Sequence, residues 1–212
     1  MQRLSLPVRL FLCPAFLFLA AGCTDLLSKP DPLHIIILNE AAPAAPLCSS
    51  PVPTQLVVAL PDPHAGLDGE RIALLLGERE VRYVSGYRWD APAPFLAQRA
   101  LVEALNGSGC FTGVGVGSDG LNTPYRLSAQ IRRMHFKQDA SQPPHAAQVE
   151  LSLILLNGIN GKIMGRHVSS VERQGDYADP YALGVGMEQA LRQAALDAAA
   201  WCWSVLKGSS YH

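Results

Sequence analysis

The chain has 212 residues, with 17 basic and 18 acidic side chains, a formal charge of −1, and 49% apolar residues. Near-neutral charge without a Lys/Arg run excludes the electrostatic footprint of a nucleic-acid binder. Beyond residue 22 no apolar stretch approaches the ~20 residues that a transmembrane helix needs, so the bulk of the chain reads as one folded domain.

Residues 1–22 hold Arg3 and Arg9, no acidic residue, and an apolar run from Leu10 to Ala21 broken only by Cys13 and Pro14. About a dozen apolar residues are too few to span a bilayer and fit the core of a signal peptide. Leu19-Ala20-Ala21-Gly22-Cys23 resembles a lipobox, although Leu19 stands one position further from the cysteine than is usual. The resemblance implies cleavage before Cys23 and lipid on its thiol; an ordinary secretory cut at an A-x-A-like site is the alternative. Thr24 rather than Asp follows the cysteine, which by the enteric sorting rule implies delivery to the outer membrane. Residues 23–33 then read as a largely polar, Pro-containing tether, and residues 34–212 as a single domain. Cleavage removes two basic residues, leaving 15 against 18 acidic ones, a formal charge of −3.

Cys48, Cys110 and Cys202 remain beyond the tether. An exported chain permits a disulfide, but three is odd, so one bridge with a buried spare thiol is expected, the pair left open. No CxxC suggests zinc or thioredoxin chemistry.

In chain order, His34–Leu38 is a short β-branched run that reads as a buried strand. A loop rich in Ala and Pro follows from Ala41 to Pro53, where proline opposes pairing. Gln55–Leu60 reads as a strand stopped by Pro61-Asp62-Pro63. Ile72–Leu76 and Glu80–Tyr83 flank Gly77-Glu78 as a hairpin, with one wet face and one covered face. Prolines 92 and 94 open a helix whose stripe is Ala97, Leu101, Ala104 and Leu105, closed by Asn106-Gly107. Phe111–Val116 is a strand, and Tyr125–Phe136, Ala147–Leu156 and Lys162–Val171 form a three-strand meander. A final helix runs from Pro180 or Leu183 to about Lys207, its apolar face built from Met187, Leu191, Ala194, Ala198 and Cys202 or Trp201. This pattern predicts an α+β fold: a mostly antiparallel sheet with two main helices packed on one face.

Motifs for chemistry are sparse. Gly115–Gly120 matches G-x-G-x-x-G, but Pro124 and a strand follow where a dinucleotide site needs a helix N-terminus, so a loop is expected. The six histidines show no metal-ligand spacing. Neither Ser108 nor Ser118 sits in a nucleophile elbow. Glu78 with Glu80 and Asp62 with Asp68 read as solvated carboxylates. The residues therefore suggest no enzyme, no metal site and no cofactor. Tyr83, Tyr87 and Trp89 cluster before the first helix, as core anchors or a binding platform. Trp201 and Trp203 lie roughly 200° apart on the last helix, so both cannot face one core. Trp203 and Tyr87 are the interface candidates.

The early strand HIIIL, the segment LDGERIALLLGERE-VRYVSGYRWDAPAP, the helix ending LVEALNGSGCF and the alanine-rich last helix carrying Trp201 together resemble one family. The chain is similar, from His34 to about Val205, to the ABC-type transport auxiliary lipoproteins, which include paraquat-inducible protein C. The resemblance implies a non-enzymatic outer-membrane lipoprotein anchored at Cys23. Its implied partners are an ABC transporter with ATPase, permease and a mammalian-cell-entry-type periplasmic protein, moving phospholipid or other hydrophobic molecules, together with further copies of the chain in a homo-oligomer. The alternative is a structural or assembly lipoprotein of the envelope without a transport role.

Overall fold

A computed structural model of the chain describes residues 32–39, 46–121, 123–139 and 142–209. The signal segment, Cys23 and most of the tether lie outside the described residues. Nine strands and two long helices occur among those described. They are β1 (His34–Ile36), β2 (Val52–Val58), β3 (Asp62–Pro63), β4 (Arg71–Leu76), β5 (Glu80–Trp89), α1 (Ala93–Gly107), β6 (Phe111–Val116), β7 (Tyr125–Gln138), β8 (Ala146–Asn157), β9 (Ile163–Gln174) and α2 (Pro180–Ser209).

All the strands join one sheet organised around β7. One side of β7 pairs along nearly its whole length with β8, and β8 with β9, giving the expected antiparallel meander. The other side of β7 is met in turn by β2 at Arg126–Leu127, β3 at Gln130–Ile131 and β4 at Phe136–Gln138, all parallel. The α+β class with two helices stands, but the sheet is mixed rather than mostly antiparallel: β1–β5 and β2–β6 are also parallel, while β4–β5 is an antiparallel hairpin. Antiparallel pairs here are joined by short turns, which local sequence encodes. The parallel pairs join strands distant in sequence, which periodicity does not reveal.

Alternation places one face of the meander inward. Leu127, Ala129 and Ile131 on β7 and Val149, Leu151, Leu153 and Leu155 on β8 are buried. An irregularity in pairing between Ile131 and Arg133 shifts the inward set of β7 to Met134 and Phe136. One inserted residue in a strand reverses the parity of all that follow, so both halves of a long strand reach the same core.

Both helices cover this inward face. Leu96, Ala97, Leu101 and Leu105 of α1 and Met187, Ala194, Ala198 and Cys202 of α2 join the strand residues in one cluster. The alanines at 190, 194 and 198 bring α2 close to β9, where the buried Ser169 hydroxyl donates to the Ala194 carbonyl at 3.0 Å. Trp89 is buried, so the core-anchor reading of that aromatic holds.

Three strand expectations change. β1 is a three-residue edge strand, not a buried one: Leu38 is buried, but Ile35 and Ile37 are 54% and 64% exposed. Only its inward side is covered, with Ile36 packed so tightly on α2 that a Cβ at Gly184 would lie 2.9 Å from it. β2 begins at Val52, inside the expected proline loop, because Pro53 falls at a bulge and so withdraws no ladder bond. At the hairpin tip Val81 is 54% exposed, since the hairpin there extends past its cover.

Candidate functional site

Cys48 and Cys110 form a disulfide between residues 62 apart, and Cys202 is free and buried. The expected pattern of one bridge and a spare thiol is thus present. Burial alone pushes the Cys202 thiol up to about 12, so it stays protonated and unreactive at neutral pH.

The bridge ties the segment at 46–51 to the turn where α1 meets β6. Leu47 N donates to Ser108 O at 3.0 Å, and the buried Ser108 hydroxyl donates to Leu105 O at 2.6 Å, closing the end of α1. Trp203 belongs to this assembly. Its indole N–H donates to Ser50 O at 3.1 Å, and the Lys207 ammonium lies 4.7 Å from its ring centroid. Trp201 points elsewhere, stacking on His167 at 5.3 Å, which meets Asp197 at 2.7 Å. This contact needs Gly165 on β9, where a Cβ would stand 3.1 Å from the Trp201 ring. The two tryptophans therefore serve different neighbours, and both are half-buried.

Tyr87 lies on β5, stacked on His34 of β1 with centroids 5.1 Å apart. A polar clamp holds the chain just beyond β1. Arg99 Nη2 donates to Leu38 O at 2.9 Å and to Asp90 at 3.3 Å, while Leu38 N donates to the other Asp90 oxygen. Asn39 N donates to Glu188 on α2. Nothing in the spacing of these residues announces the clamp, because its members come from four separate elements. Tyr87 stacks on His34 while Trp203 bonds Ser50 beside the disulfide, so the two interface candidates engage different segments of the chain.

The meander face opposite the helices is covered at one end, where Ala146 and Gln148 are buried, and is open and rich in arginine over the rest. Arg126, Arg132 and Arg133 of β7 and Arg166 of β9 are exposed there. Glu150 of β8 accepts from Arg133 at 2.8 Å and lies 3.7 Å from Arg132. Beside them His135 shares a 3.0 Å hydrogen bond with Gln148. Burial pushes its imidazole below the usual value, Arg133 and Lys137 add to this, and Gln148 opposes it.

The glycine motif is a loop. Gly117–Asp119 is a single 3₁₀ turn, and Asp119 accepts from its own Val116 N–H at 2.7 Å. Glu80 pairs with Arg82 at the exposed hairpin, and Asp62 lies exposed on β3. Among the described residues, no group of three or more His, Cys, Asp or Glu lies close enough to hold a metal, and no helix is long and apolar enough to cross a membrane.

Solved structures share this arrangement. Protein XCC0632 from Xanthomonas campestris superposes with a TM-score of 0.74 at 24% identity, over 84% of this chain and 100% of that one. An uncharacterized protein superposes with a TM-score of 0.62 at 13% identity, over 81% and 99% of the two chains. At these identities the likeness shows the fold. No curated protein matches the chain. Residues 37–199 match the family described as the ABC-type transport auxiliary lipoprotein component, from the end of β1 to the last third of α2. The chain belongs to that family of ABC-type transport auxiliary lipoproteins.

Proposed function

We propose that the chain is a non-enzymatic lipoprotein, anchored through Cys23 at the periplasmic face of the outer membrane, that docks a mammalian-cell-entry-type ABC transporter. The observation that carries this reading is the family match over residues 37–199, preceded by a lipobox-like segment ending at Cys23. The transporter's ATPase and permease supply energy and passage for phospholipid or another hydrophobic cargo, and the lipoprotein supplies a fixed mooring across the periplasm. Supporting it, Arg99, Ser108 and Asp119 are engaged in a clamp and turn bonds of the fold, not in a reacting constellation.

Tyr87 and Trp203 serve at protein contacts in this reading. Tyr87 stacks on His34 of the same edge strand whose other side exposes Leu33, Ile35 and Ile37, an apolar row suited to a second copy of the chain. Tagged, full-length protein extracted from membranes is expected to recover a mammalian-cell-entry-type protein together with an ATPase and permease. Recovery of envelope structural proteins alone would replace the transport role with an assembly role. A Cys23→Ser variant is expected to lose radioactive palmitate and remain unprocessed or soluble; a palmitate-labelled variant would remove the anchor.

A further inference from the structure

We propose that the helix-free face of β7–β9 is a docking surface for an acidic segment of a protein partner. The inference rests on the docking role above and names the surface and the chemistry it accepts.

The charges on this face are unbalanced. Glu150 is shared by Arg132 and Arg133, so one carboxylate answers two guanidinium groups. Arg126 and Arg166 take part in no ion pair among the described residues. Their cross-strand neighbours on β8 are aliphatic: Arg126 stands opposite Leu156, and Arg166 opposite Ile154. An exposed sheet face is ordinarily stabilised by opposite charges on adjoining strands. Here the arginines lie beside apolar neighbours instead, which leaves their planar donor forks exposed and available to a partner. Residues 23–212 carry a formal −3, so this face reverses the sign of the whole and steers an acidic partner to one place.

The geometry selects among anionic occupants. Arg126 and Arg166 lie on strands separated by β8, about 10 Å apart across the sheet from strand spacing alone. Arg132 lies further along β7. A single phosphate does not satisfy three such sites, whereas a polypeptide with spaced carboxylates does, each taken by a forked guanidinium. Arg126, Arg132 and Arg166 also line a hollow bordered by Leu60 and Asp62, with Ser152 between them, rather than a projecting rim. A protruding acidic segment enters a hollow; a flat bilayer does not.

Fluorescent decaglutamate titrated onto the mature, detergent-held protein tests this. Binding is expected to weaken steeply with salt, and by tenfold or more in the Arg126→Gln/Arg166→Gln protein. The Arg126→Glu/Arg166→Glu protein is expected to bind decalysine instead. An Arg82→Gln protein, altered at the exposed hairpin, should match the parent, and circular dichroism confirms that each variant is folded. Equal decaglutamate binding by parent and double variant overturns the proposal. So does arginine-dependent binding of phosphatidylglycerol vesicles or of inorganic phosphate without binding of the peptide. Transporter components recovered equally by parent and double variant refute this surface and leave the transport role intact. Peptide binding with no transporter ever recovered refutes the transport role and leaves the surface.

Discussion

The two faces of the β7–β9 meander are made from alternating residues of the same strands, yet they differ in every physical respect. Leu151, Leu153 and Leu155 point under α1 and α2 and are fully or nearly fully buried. Ser152 and Ile154, interleaved with them, line the open arginine-bearing hollow. The inward face excludes water and holds the fold, and the outward face keeps charge within reach of solvent and partners. Period-2 geometry lets one strand carry both, so a substitution one position away should change from structural to functional.

That contrast sets the expected size of each effect. Replacing Cys48 and Cys110 by Ala removes a link between residues 62 apart, and an entropic loss of about 4 kcal/mol is expected in denaturant unfolding. A loss below ~1 kcal/mol would mean that the segment at 46–51 is held by its hydrogen bonds without the bridge. Leu153→Ala is expected to cost about 3 kcal/mol, against under ~1 kcal/mol for Ile154→Ala on the open face; similar values would erase the distinction between faces. Ser169→Ala, which loses the bond to Ala194 O, should cost about 1 kcal/mol, whereas its outward neighbour Ser170 should tolerate Ala within ~0.5 kcal/mol.

His135 provides a pH test at the covered end of the same sheet face, beside Arg133 and Gln148. Its folded value lies below the ordinary 6.5 because burial favours the neutral ring. The unfolded chain therefore binds the extra proton first as pH falls. The stability contribution is complete above 6.5 and is lost as pH drops through the folded value. A His135→Gln protein should show a flatter decline over that interval in thermal unfolding, and an unchanged slope would assign the decline to other groups. The smallest expected signal is at Cys202. Its raised value, about 12, predicts negligible alkylation by iodoacetamide until the protein is unfolded.

Legibility in the sequence followed the range of the interactions. The helices were visible because Ala97, Leu101 and Leu105, and likewise Met187, Leu191 and Ala198, repeat at helical spacing within one segment. The meander was visible because a short turn or loop joins each pair of strands. The parallel approach of β2, β3 and β4 to β7 was not, since those pairings depend on tertiary placement. Nor was the bulge beside Arg132, which changes parity without any glycine or proline to mark it. The candidate surfaces divided similarly. Tyr87 and Trp203 stood out as aromatics, but the Asp90–Arg99 clamp and the arginine face draw on residues that look like ordinary solvated charges until the strands are aligned.

The division of labour between the faces is tested most directly by photo-crosslinking in living cells. A photoreactive residue placed at Ser128 on the open face and, separately, at Gln193 on the exposed side of α2 samples both sides of the molecule at native abundance. The expected result is a discrete adduct from position 128 to a protein partner with an acidic segment, lost in the Arg126→Gln/Arg166→Gln protein, and no such adduct from position 193. Equal adducts from both positions, or an adduct from 193 alone, would contradict the account.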